Sequence, residues 1–193
     1  LLADYWQFKR RYQFLSRIAP PEGPQRTVLV VSLTDFPYKV KEEAMLATAL
    51  KLRGYVPVVL TFSWCRRGMR YHRVFGFDRF VFLDHALARV PDATVETIRR
   101  QAASFFETRP NVQALKRFEY RGAHVGRHAL STITRMRFDG RIQLDNPAVQ
   151  AQLTRLLPKA MRTVHAAEDV LDRVVPSLAL FHEKGYLDQG PGF

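Results

Sequence analysis

The sequence contains one cysteine, Cys65, in 193 residues. A single thiol excludes an internal disulfide and a metal cluster built from cysteines, and it fits a reducing cytoplasm. No run of about 18 apolar residues occurs, so these residues hold no membrane-spanning helix. Lys9, Arg10 and Arg11 interrupt the first apolar stretch, which therefore lacks the pattern of a signal peptide.

The glycine-rich motifs that hold phosphate groups are missing as well. A dinucleotide-binding domain carries G-x-G-x-x-G after its first strand, but the turn at residues 33–39, after the first predicted strand, has no glycine. Neither a G-x-x-x-x-G-K-[ST] phosphate loop nor a G-x-S-x-G nucleophile elbow occurs. These absences argue against a nucleotide held in either familiar way and against a serine hydrolase of the elbow type.

Acidic residues are fewer than basic ones. The chain has 30 lysines and arginines against 18 aspartates and glutamates, which gives a formal charge of +12. Such a field attracts nucleic acid, anionic lipid headgroups or phosphorylated substrates, although a basic solvated surface would have the same composition. With 47% hydrophobic residues the chain has enough apolar side chains for a substantial core. It begins without methionine and ends soon after its last predicted strand, which we interpret as a piece of a longer protein.

Two segments precede the predicted domain. An apolar stripe at helical spacing, with basic residues between its members, is formed by Tyr5, Phe8, Tyr12 and Leu15. A basic, aromatic, amphipathic helix of this kind either lies on an anionic membrane surface or packs its stripe on the domain. The proline-rich residues 20–24 then form a linker. We therefore divide the chain into an N-terminal helix with its linker at 1–24 and a domain at 25–193.

Strand and helix patterns alternate along this domain. Continuous apolar and β-branched runs, typical of strands buried on both faces, lie at residues 27–33, 56–62, 79–83 and from 178 onward. Helical periodicity lies between them, at residues 37–53, 94–106, 125–137 and 147–174. The alternation predicts an α/β fold, a Rossmann-like doubly wound parallel sheet with helices on both faces.

Three local predictions accompany this fold. Asp35 is placed to cap the helix that follows it, and Pro37 suits the first turn of that helix. The basic residues 64–73 are predicted to form a loop. Pro158 lies inside the last long helix and predicts a kink or a break there.

The turn after the first strand offers Asp35, Tyr38 and Lys39 at a strand's carboxyl end. In open α/β sheets ligands bind outside the carboxyl ends of the strands. Asp35 is therefore a candidate catalytic base as well as a helix cap. Tyr38 is a candidate substrate contact, and Lys39 could meet a phosphate or a carboxylate or remain solvated.

A second group of candidates precedes the helix predicted at 125–137. Gly122 and Gly126 lie among arginines and histidines. Backbone N–H groups at a helix start bind anions, and glycine allows a close approach. His124 and His128 lie one helical turn apart, a spacing that permits a pair of metal ligands. Because no third ligand lies nearby, we predict substrate contacts at Gly122 and His124 and no bound metal.

The end of the chain carries the third group. The apolar residues of the last strand are followed at once by His182 and Glu183, and Tyr186 comes shortly after. An unperturbed imidazole titrates near neutral pH, so His182 is a candidate general base. Glu183 could orient it or contact sugar hydroxyls, and Tyr186 could stack on a sugar or a base. The alternative is that His182 is an ordinary hydrogen-bonded loop residue.

Taken in order, these motifs resemble the N-terminal half of bacterial GT-B glycosyltransferases of the kind linked to capsule and other surface polysaccharides. The resemblance covers most of residues 27–193. It rests first on an apolar strand, a helix with Lys41-Glu42-Glu43-Ala44, and Arg53-Gly54-Tyr55 before the second strand. It rests further on Tyr120-x-Gly122, on Gly126-x-His128-Ala129-Leu130-Ser131, on Arg135, on the helix at 147–174, and on His182-x-x-Gly185-Tyr186-x-x-Gln189-Gly190.

The resemblance implies two Rossmann-like domains that face each other across a cleft, with this chain as the acceptor side. It implies transfer of a sugar from a nucleotide-sugar donor to an acceptor hydroxyl. No cofactor is then held by this half, and the donor is bound by a C-terminal half outside the sequence. An inverting enzyme of this kind needs a base, for which His182 and Asp35 are the candidates, whereas a retaining enzyme does not.

The implied acceptor is a saccharide or a lipid-linked saccharide. The implied location is the cytoplasm, with a peripheral contact to an anionic membrane. Two other classes stay open. The charge is compatible with a basic α/β module that binds nucleic acid, although the basic residues are spread along the chain and no reader motif occurs. The other class is a non-catalytic scaffold built on the same fold.

Overall fold

The computed structural model of the chain describes residues 2–19, 21–23, 25–138, 140 and 142–182. It contains two compact units, one made of Leu1–His85 and Val170–His182 and the other of Ala86–Asp169. The strands are β1 (Arg26–Val31), β2 (Tyr55–Thr61), β3 (Phe80–Phe82) and β4 (Leu178–Phe181). The helices are α1 (Leu2–Tyr12), α2 (Pro37–Lys51), α3 (Arg66–Val74), α4 (Leu83–Ala88), α5 (Asp92–Glu107), α6 (Val112–Arg117), α7 (Val125–Arg137) and α8 (Pro147–Val174), with a short 3₁₀ helix at Gln13–Arg17.

The four strands form one parallel sheet with the order β3-β2-β1-β4. Val30 of β1 is opposite Val59 of β2 and Leu180 of β4, so β1 is an inner strand. The valines and leucine at residues 28–31 are buried, as expected for a β-branched run covered on both faces. The predicted fold is therefore confirmed as a Rossmann-like α/β fold, a parallel sheet flanked by helices.

Helix α1 packs its aromatic stripe on the unit that contains the sheet. Phe8 is buried, and its ring centroid lies 5.3 Å from that of Tyr71 and 5.6 Å from that of Phe75. The rest of the stripe contacts the same core through Tyr5, Tyr12 and Leu15. Of the two interpretations of this stripe, packing on the domain is confirmed, because α3 and the residue after it offer aromatic partners that the stripe covers.

The basic segment after β2 is a helix, so the predicted loop at residues 64–73 is wrong. Helix α3 buries one face, formed by Gly68, Met69, Tyr71, His72 and Val74. Its other face exposes Arg66, Arg67, Arg70 and Arg73. The segment forms a helix because one of its sides packs against the core. The arginines between the buried residues obscure this apolar periodicity in the sequence.

Asp35 caps α3 and not the helix that follows it in the chain. Its Oδ1 accepts a hydrogen bond of 2.7 Å from the backbone N–H of Gly68, in the first turn of α3. Helix α2 begins at Pro37 as predicted, but its N-cap residue is Phe36, which provides no side-chain cap. The predicted cap of α2 is therefore wrong, because the turn after β1 contacts a helix that comes later in the chain.

The second unit is helical. Its core draws on helices α5 to α8 through residues such as Ile98, Leu115, Ile133 and Leu157. Helices α7 and α8 have the bounds that periodicity predicts, and α8 runs through Pro158 as one helix, so no break occurs at that residue. The short helix α6 has no counterpart among the predicted elements.

Candidate functional site

The carboxyl ends of the four parallel strands define one edge of the sheet. From β3 to β4, the residues that come just after the strands are Asp84, Ser63, Ser32 and His182. The chain leaves β1 toward β2 on one side, whereas β4 pairs with the other side of β1. Strand order thus reverses between β1 and β4, and ligand crevices of open α/β sheets form at such a point.

His182 at this reversal faces a carboxylate of helix α2. Its Nδ1 lies 3.4 Å from Oε2 of Glu42, and 28% of its side chain is exposed. A carboxylate beside Nδ1 can orient an imidazole ring, so the pair is a candidate for the histidine–carboxylate arrangement found in general bases. The sequence carries no local signal for Glu42, because the pair forms only when β4 docks beside β1.

Two candidates from the chain end cannot be compared with this geometry. Glu183, predicted to orient His182, and Tyr186, predicted to stack on a sugar or a base, lie outside the described residues. Their roles stay predictions.

At the β2–β3 side of the edge, Asp84 holds the turn after β2. Its Oδ1 accepts the backbone N–H of Ser63 at 2.9 Å, and its Oδ2 accepts the Ser63 hydroxyl at 2.5 Å. Nε2 of His85 lies 3.8 Å from the same Oδ2. Burial by itself would raise the pKa of Asp84, but the hydrogen bonds from Ser63 outweigh it and lower that pKa. Asp84 is therefore an ionised, hydrogen-bonded anchor.

Aromatic side chains at the same edge are exposed. Trp64, just after β2, is 62% exposed and stacks on Phe62 with ring centroids 4.3 Å apart. Phe36 and Tyr38, after β1, are each 63% exposed. Flat apolar faces beside polar groups suit the rings of sugars or bases. Tyr38 was a sequence candidate, whereas Trp64 and Phe36 were missed, although their places just after predicted strands would have revealed them.

The other two candidates of the β1 turn have structural contacts. Oδ1 of Asp35 is engaged by the N–H of Gly68. Lys39 is half-buried, and its charge acts on the buried carboxyl of Glu43. Of the three candidates in this turn, Tyr38 is therefore the one that the geometry leaves most open to a ligand.

Below the edge lies a buried polar cluster formed by Ser32, Glu43 and His72. All three residues are almost fully buried. The Ser32 hydroxyl lies 3.0 Å from Nε2 of His72 and also hydrogen-bonds the Glu43 side chain. Within the described part of the chain, Oε2 of Glu43 and Nδ1 of His72 have no hydrogen-bond partner.

Burial shifts both titratable groups of this cluster toward their uncharged forms. It raises the pKa of Glu43 to about 7, although the Ser32 hydrogen bond and the charge of Lys39 act in the opposite direction. It lowers the pKa of His72 to about 4. The cluster is out of reach of a substrate, so we regard it as part of the core that supports the edge.

Gly122 belongs to the second unit and forms a tight turn. Gly122 has φ of +81° and Arg121 has φ of +50°, while Tyr120 and Ala123 exchange backbone hydrogen bonds across the turn. A positive φ is adopted readily by glycine, which explains that residue without a ligand. An added Cβ at Gly122 would meet nothing within 4 Å, so its backbone is open to solvent.

This turn is tied to helix α8 by two polar contacts. The hydroxyl of Tyr120 lies 2.7 Å from Nε2 of His165. Nε of Arg121 lies 2.8 and 3.0 Å from the two carboxylate oxygens of Glu168. These contacts explain why Arg121 tolerates a backbone conformation that few side chains adopt.

The start of α7 has its backbone donors in use. Val125 N–H donates to the Ala123 carbonyl at 2.8 Å, and Gly126 N–H donates to the Phe118 carbonyl at 3.1 Å. A Cβ at Gly126 would lie 1.9 Å from the Leu115 carbonyl oxygen, so this glycine is required by close packing. Both amide N–H groups thus donate to backbone carbonyls of the protein, whereas the glycine pattern predicts that they bind an anion.

His124 lies at the N-cap of α7 and His128 lies in its first turn. Nδ1 of His124 is 3.0 Å from Oε1 of Glu119, with about half of each side chain exposed. Burial lowers the pKa of His128. No group of three His, Cys, Asp or Glu side chains suited to a metal ion occurs among the described residues.

The second unit also contains an open cavity of about 380 Å³. Phe106, Leu144 and Leu153 provide its apolar lining, and Arg109 and Asp145 are among its polar residues. Its size falls in the range of small-molecule sites. The cavity was not foreseen from the sequence, because its lining comes from separate helices.

Comparisons with protein-family models, curated proteins and solved structures find no match. The class of the protein is therefore given by its fold and by the carboxyl-end edge of its sheet. It is a Rossmann-like α/β protein with a histidine–carboxylate pair where the strand order reverses. Among the helices of the described residues, none combines the length and apolar content needed to cross a bilayer.

Proposed function

We propose that this chain is the acceptor side of a glycosyltransferase in surface-polysaccharide or glycolipid synthesis. The observation that carries the proposal is the His182–Glu42 pair at the reversal of strand order. The exposed aromatic faces along the same edge support it, because an inverting transferase needs a base at the acceptor hydroxyl and a surface on which the acceptor saccharide lies.

In the proposed reaction, Nε2 of His182 removes the proton of the acceptor hydroxyl while that oxygen attacks the anomeric carbon of the donor sugar. The bond from the anomeric carbon to the nucleoside diphosphate breaks, and the diphosphate leaves with the bonding electrons. Glu42 stabilises the imidazolium that forms. Asp35 suits this role less well, because one of its carboxylate oxygens already accepts the N–H of Gly68.

The acceptor is proposed to lie along the edge, between the aromatic side chains and His182. The ends of β2 and β4 are separated by β1, so they lie two strand spacings, about 10 Å, apart along the edge. The apolar face of a sugar ring would cover Trp64, and its hydroxyls would point toward the polar groups. We assign the nucleotide-sugar donor to a second domain and no residue of this chain to its diphosphate.

The test is release of nucleoside diphosphate by the full-length natural polypeptide, incubated with a broad panel of nucleotide sugars and saccharide acceptors. We expect His182→Asn to lower kcat by about 100-fold or more, as for loss of a general base. The matched control is His85→Asn, since His85 also neighbours a carboxylate at the same edge. Absence of release with every donor overturns the proposal, and an equal loss in both variants overturns the choice of His182.

A second experiment tests the acceptor surface without a donor. The sequence has two tryptophans, so Trp6→Phe leaves Trp64 as the only indole reporter. We expect a saturable change in Trp64 fluorescence with oligosaccharides and none with single-stranded DNA. The opposite pattern would support the nucleic-acid module and count against the acceptor surface.

A further inference from the structure

The side of the N-terminal segment that faces away from the core carries a basic aromatic patch, formed by Trp6, Lys9, Arg10, Phe14 and Arg17. Trp6 and Phe14 are each 58% exposed. Trp6 and Arg10 lie one turn apart on α1, and Phe14 continues this spacing into the 3₁₀ helix. None of these residues belongs to the apolar stripe, whose residues pack against the core.

Packing accounts for little of the aromatic surface in this patch: the Trp6 ring meets the Tyr5 ring edge-on, with centroids 5.6 Å apart, and Trp6 and Phe14 stay largely exposed. The opposite side of α1 holds the helix in place through Phe8 and through Asp4, whose carboxylate lies 2.7 Å from Nζ of Lys41 and 2.5 Å from the Tyr71 hydroxyl. On the outer side, Nζ of Lys9 lies 5.3 Å from the Trp6 ring centroid. No carboxylate of the described residues pairs with Arg10 or Arg17.

We propose that the basic aromatic patch docks on an anionic phospholipid surface. Its chemistry matches that surface in two ways. Trp and Phe side chains reside favourably at the boundary between headgroups and acyl chains. Arginine and lysine beside them are attracted by anionic headgroups, in a chain whose formal charge is +12.

Nucleic acid is the other polyanion to consider, and the shape of the patch argues against it. Single-stranded nucleic acid is held in basic grooves whose aromatic rings stack on splayed bases. The patch lies on the outer side of a single helix and its short continuation. A helix of this kind instead lies flat in the plane of a membrane interface, with aromatic and basic residues side by side.

The docking surface is independent of sugar transfer, because neither a donor nor an acceptor takes part. The test is co-sedimentation of the full chain with vesicles of equal parts phosphatidylglycerol and phosphatidylcholine, compared with vesicles of pure phosphatidylcholine. We expect binding to the anionic vesicles that weakens as salt rises.

Variants identify the surface. We expect Trp6→Ser with Phe14→Ser to weaken the partition by about tenfold for each aromatic residue. Arg10→Gln with Arg17→Gln should weaken it by about fivefold for each charge. The control pair is Met136→Ser with Phe138→Ser, two exposed apolar residues of the second unit. Circular dichroism of each variant confirms that the fold is retained.

Fluorescence locates the contact directly. In Trp64→Phe the only tryptophan is Trp6, and its emission should shift to shorter wavelength on anionic vesicles. The proposal is overturned if anionic vesicles are not bound in preference to neutral ones, if the control pair weakens binding as much as the patch variants, or if Trp6 emission does not change. Binding to single-stranded DNA that is tighter than to vesicles and depends on Trp6 and Phe14 would overturn it in favour of nucleic acid.

Discussion

Two histidine–carboxylate groups draw on neighbouring residues of one helix, yet they lie in opposite environments. Glu42 meets His182 at the exposed edge of the sheet. Glu43, the next residue of α2, is buried and shares the hydroxyl of Ser32 with His72. Consecutive residues of a helix point about 100° apart, so α2 sends one carboxyl to the edge and the next into the core.

The comparison shows that solvent exposure decides what the same chemical groups can do. In the buried cluster, burial disfavours charge on both partners and takes the pKa of Glu43 to about 7 and that of His72 to about 4. Neither group can reach a substrate. At the edge, His182 is partly exposed beside a carboxylate, as the proposed proton transfer from a bound hydroxyl requires. Four predictions test this division.

The largest difference is expected in stability. His72→Ala should lower the free energy of unfolding by about 3 kcal/mol, because it leaves a cavity and removes the partner of the Ser32 hydroxyl. His182→Ala should change it by less than about 0.5 kcal/mol, as is usual for an exposed side chain. Urea denaturation at neutral pH measures both. Equal effects of the two substitutions would contradict the division into a structural and a chemical histidine.

The pH dependence of stability separates the two members of the buried cluster. The raised pKa of Glu43 contributes stability that is present below about pH 4.5 and is lost as the pH rises to about 7. The lowered pKa of His72 contributes stability that is present above about pH 6.5 and is lost as the pH falls to about 4. In the natural protein the two trends oppose each other between about pH 4.5 and 6.5.

Substitutions should uncover each trend. Because only one trend remains in each variant, Glu43→Gln should lose stability in its own pH profile as the pH falls from about 6.5 to 4, and His72→Gln as the pH rises from about 4.5 to 7, by about 2–3 kcal/mol in each case. Unfolding curves in urea across this range measure the slopes. Glu42→Gln, one residue away, is the control and should show neither slope. If the stability of all three variants changes with pH in the same way, the two trends do not come from Glu43 and His72.

Asp35 provides an intermediate case, a carboxylate at the edge with a structural partner. Asp35→Ala should lower the free energy of unfolding by about 1 kcal/mol, because the first turn of α3 loses its cap. Thermal or urea unfolding detects a change of this size. If Asp35→Ala leaves stability unchanged yet abolishes nucleoside diphosphate release, Asp35 and not His182 is the base.

The smallest effect on stability is expected at the exposed pair itself. Glu42→Gln should change the free energy of unfolding by less than about 0.5 kcal/mol, since exposed ion pairs contribute little. The same substitution should lower kcat by about tenfold, because an imidazolium at His182 loses its neighbouring charge. If Glu42→Gln lowers stability strongly and leaves activity unchanged, Glu42 has the structural role that we assign to Glu43.

Much of the fold is predictable from the sequence where the signal is local. The run at residues 28–31 marks a buried strand by itself, and α7 and α8 have the bounds that their apolar periodicity predicts. The segment of α3 was mistaken for a loop, because its arginines outnumber its apolar residues and only the buried partners of Tyr71 and His72 favour a helix. The prediction of α3 failed because the contacts that stabilise this helix come from residues elsewhere in the chain.

The candidate site shows the same limit. His182 could be singled out because a polar residue directly after an apolar strand is a local signal. Its partner Glu42 and the cap that Asp35 provides to α3 could not, since each contact joins segments that are distant in sequence. The role of Glu183, which a local pattern does indicate because it is adjacent to His182, stays a prediction.

The sequence by itself determined the α/β class and the strand and helix alternation, because continuous apolar runs and an apolar period of 3.6 residues are local features of the sequence. It also determined which polar residues follow the strands. Only the tertiary structure decided which of them meet, since the order β3-β2-β1-β4 brings the end of β4 beside helix α2. Tertiary packing likewise decided that one side of α1 enters the core and the side with Trp6 and Phe14 faces solvent.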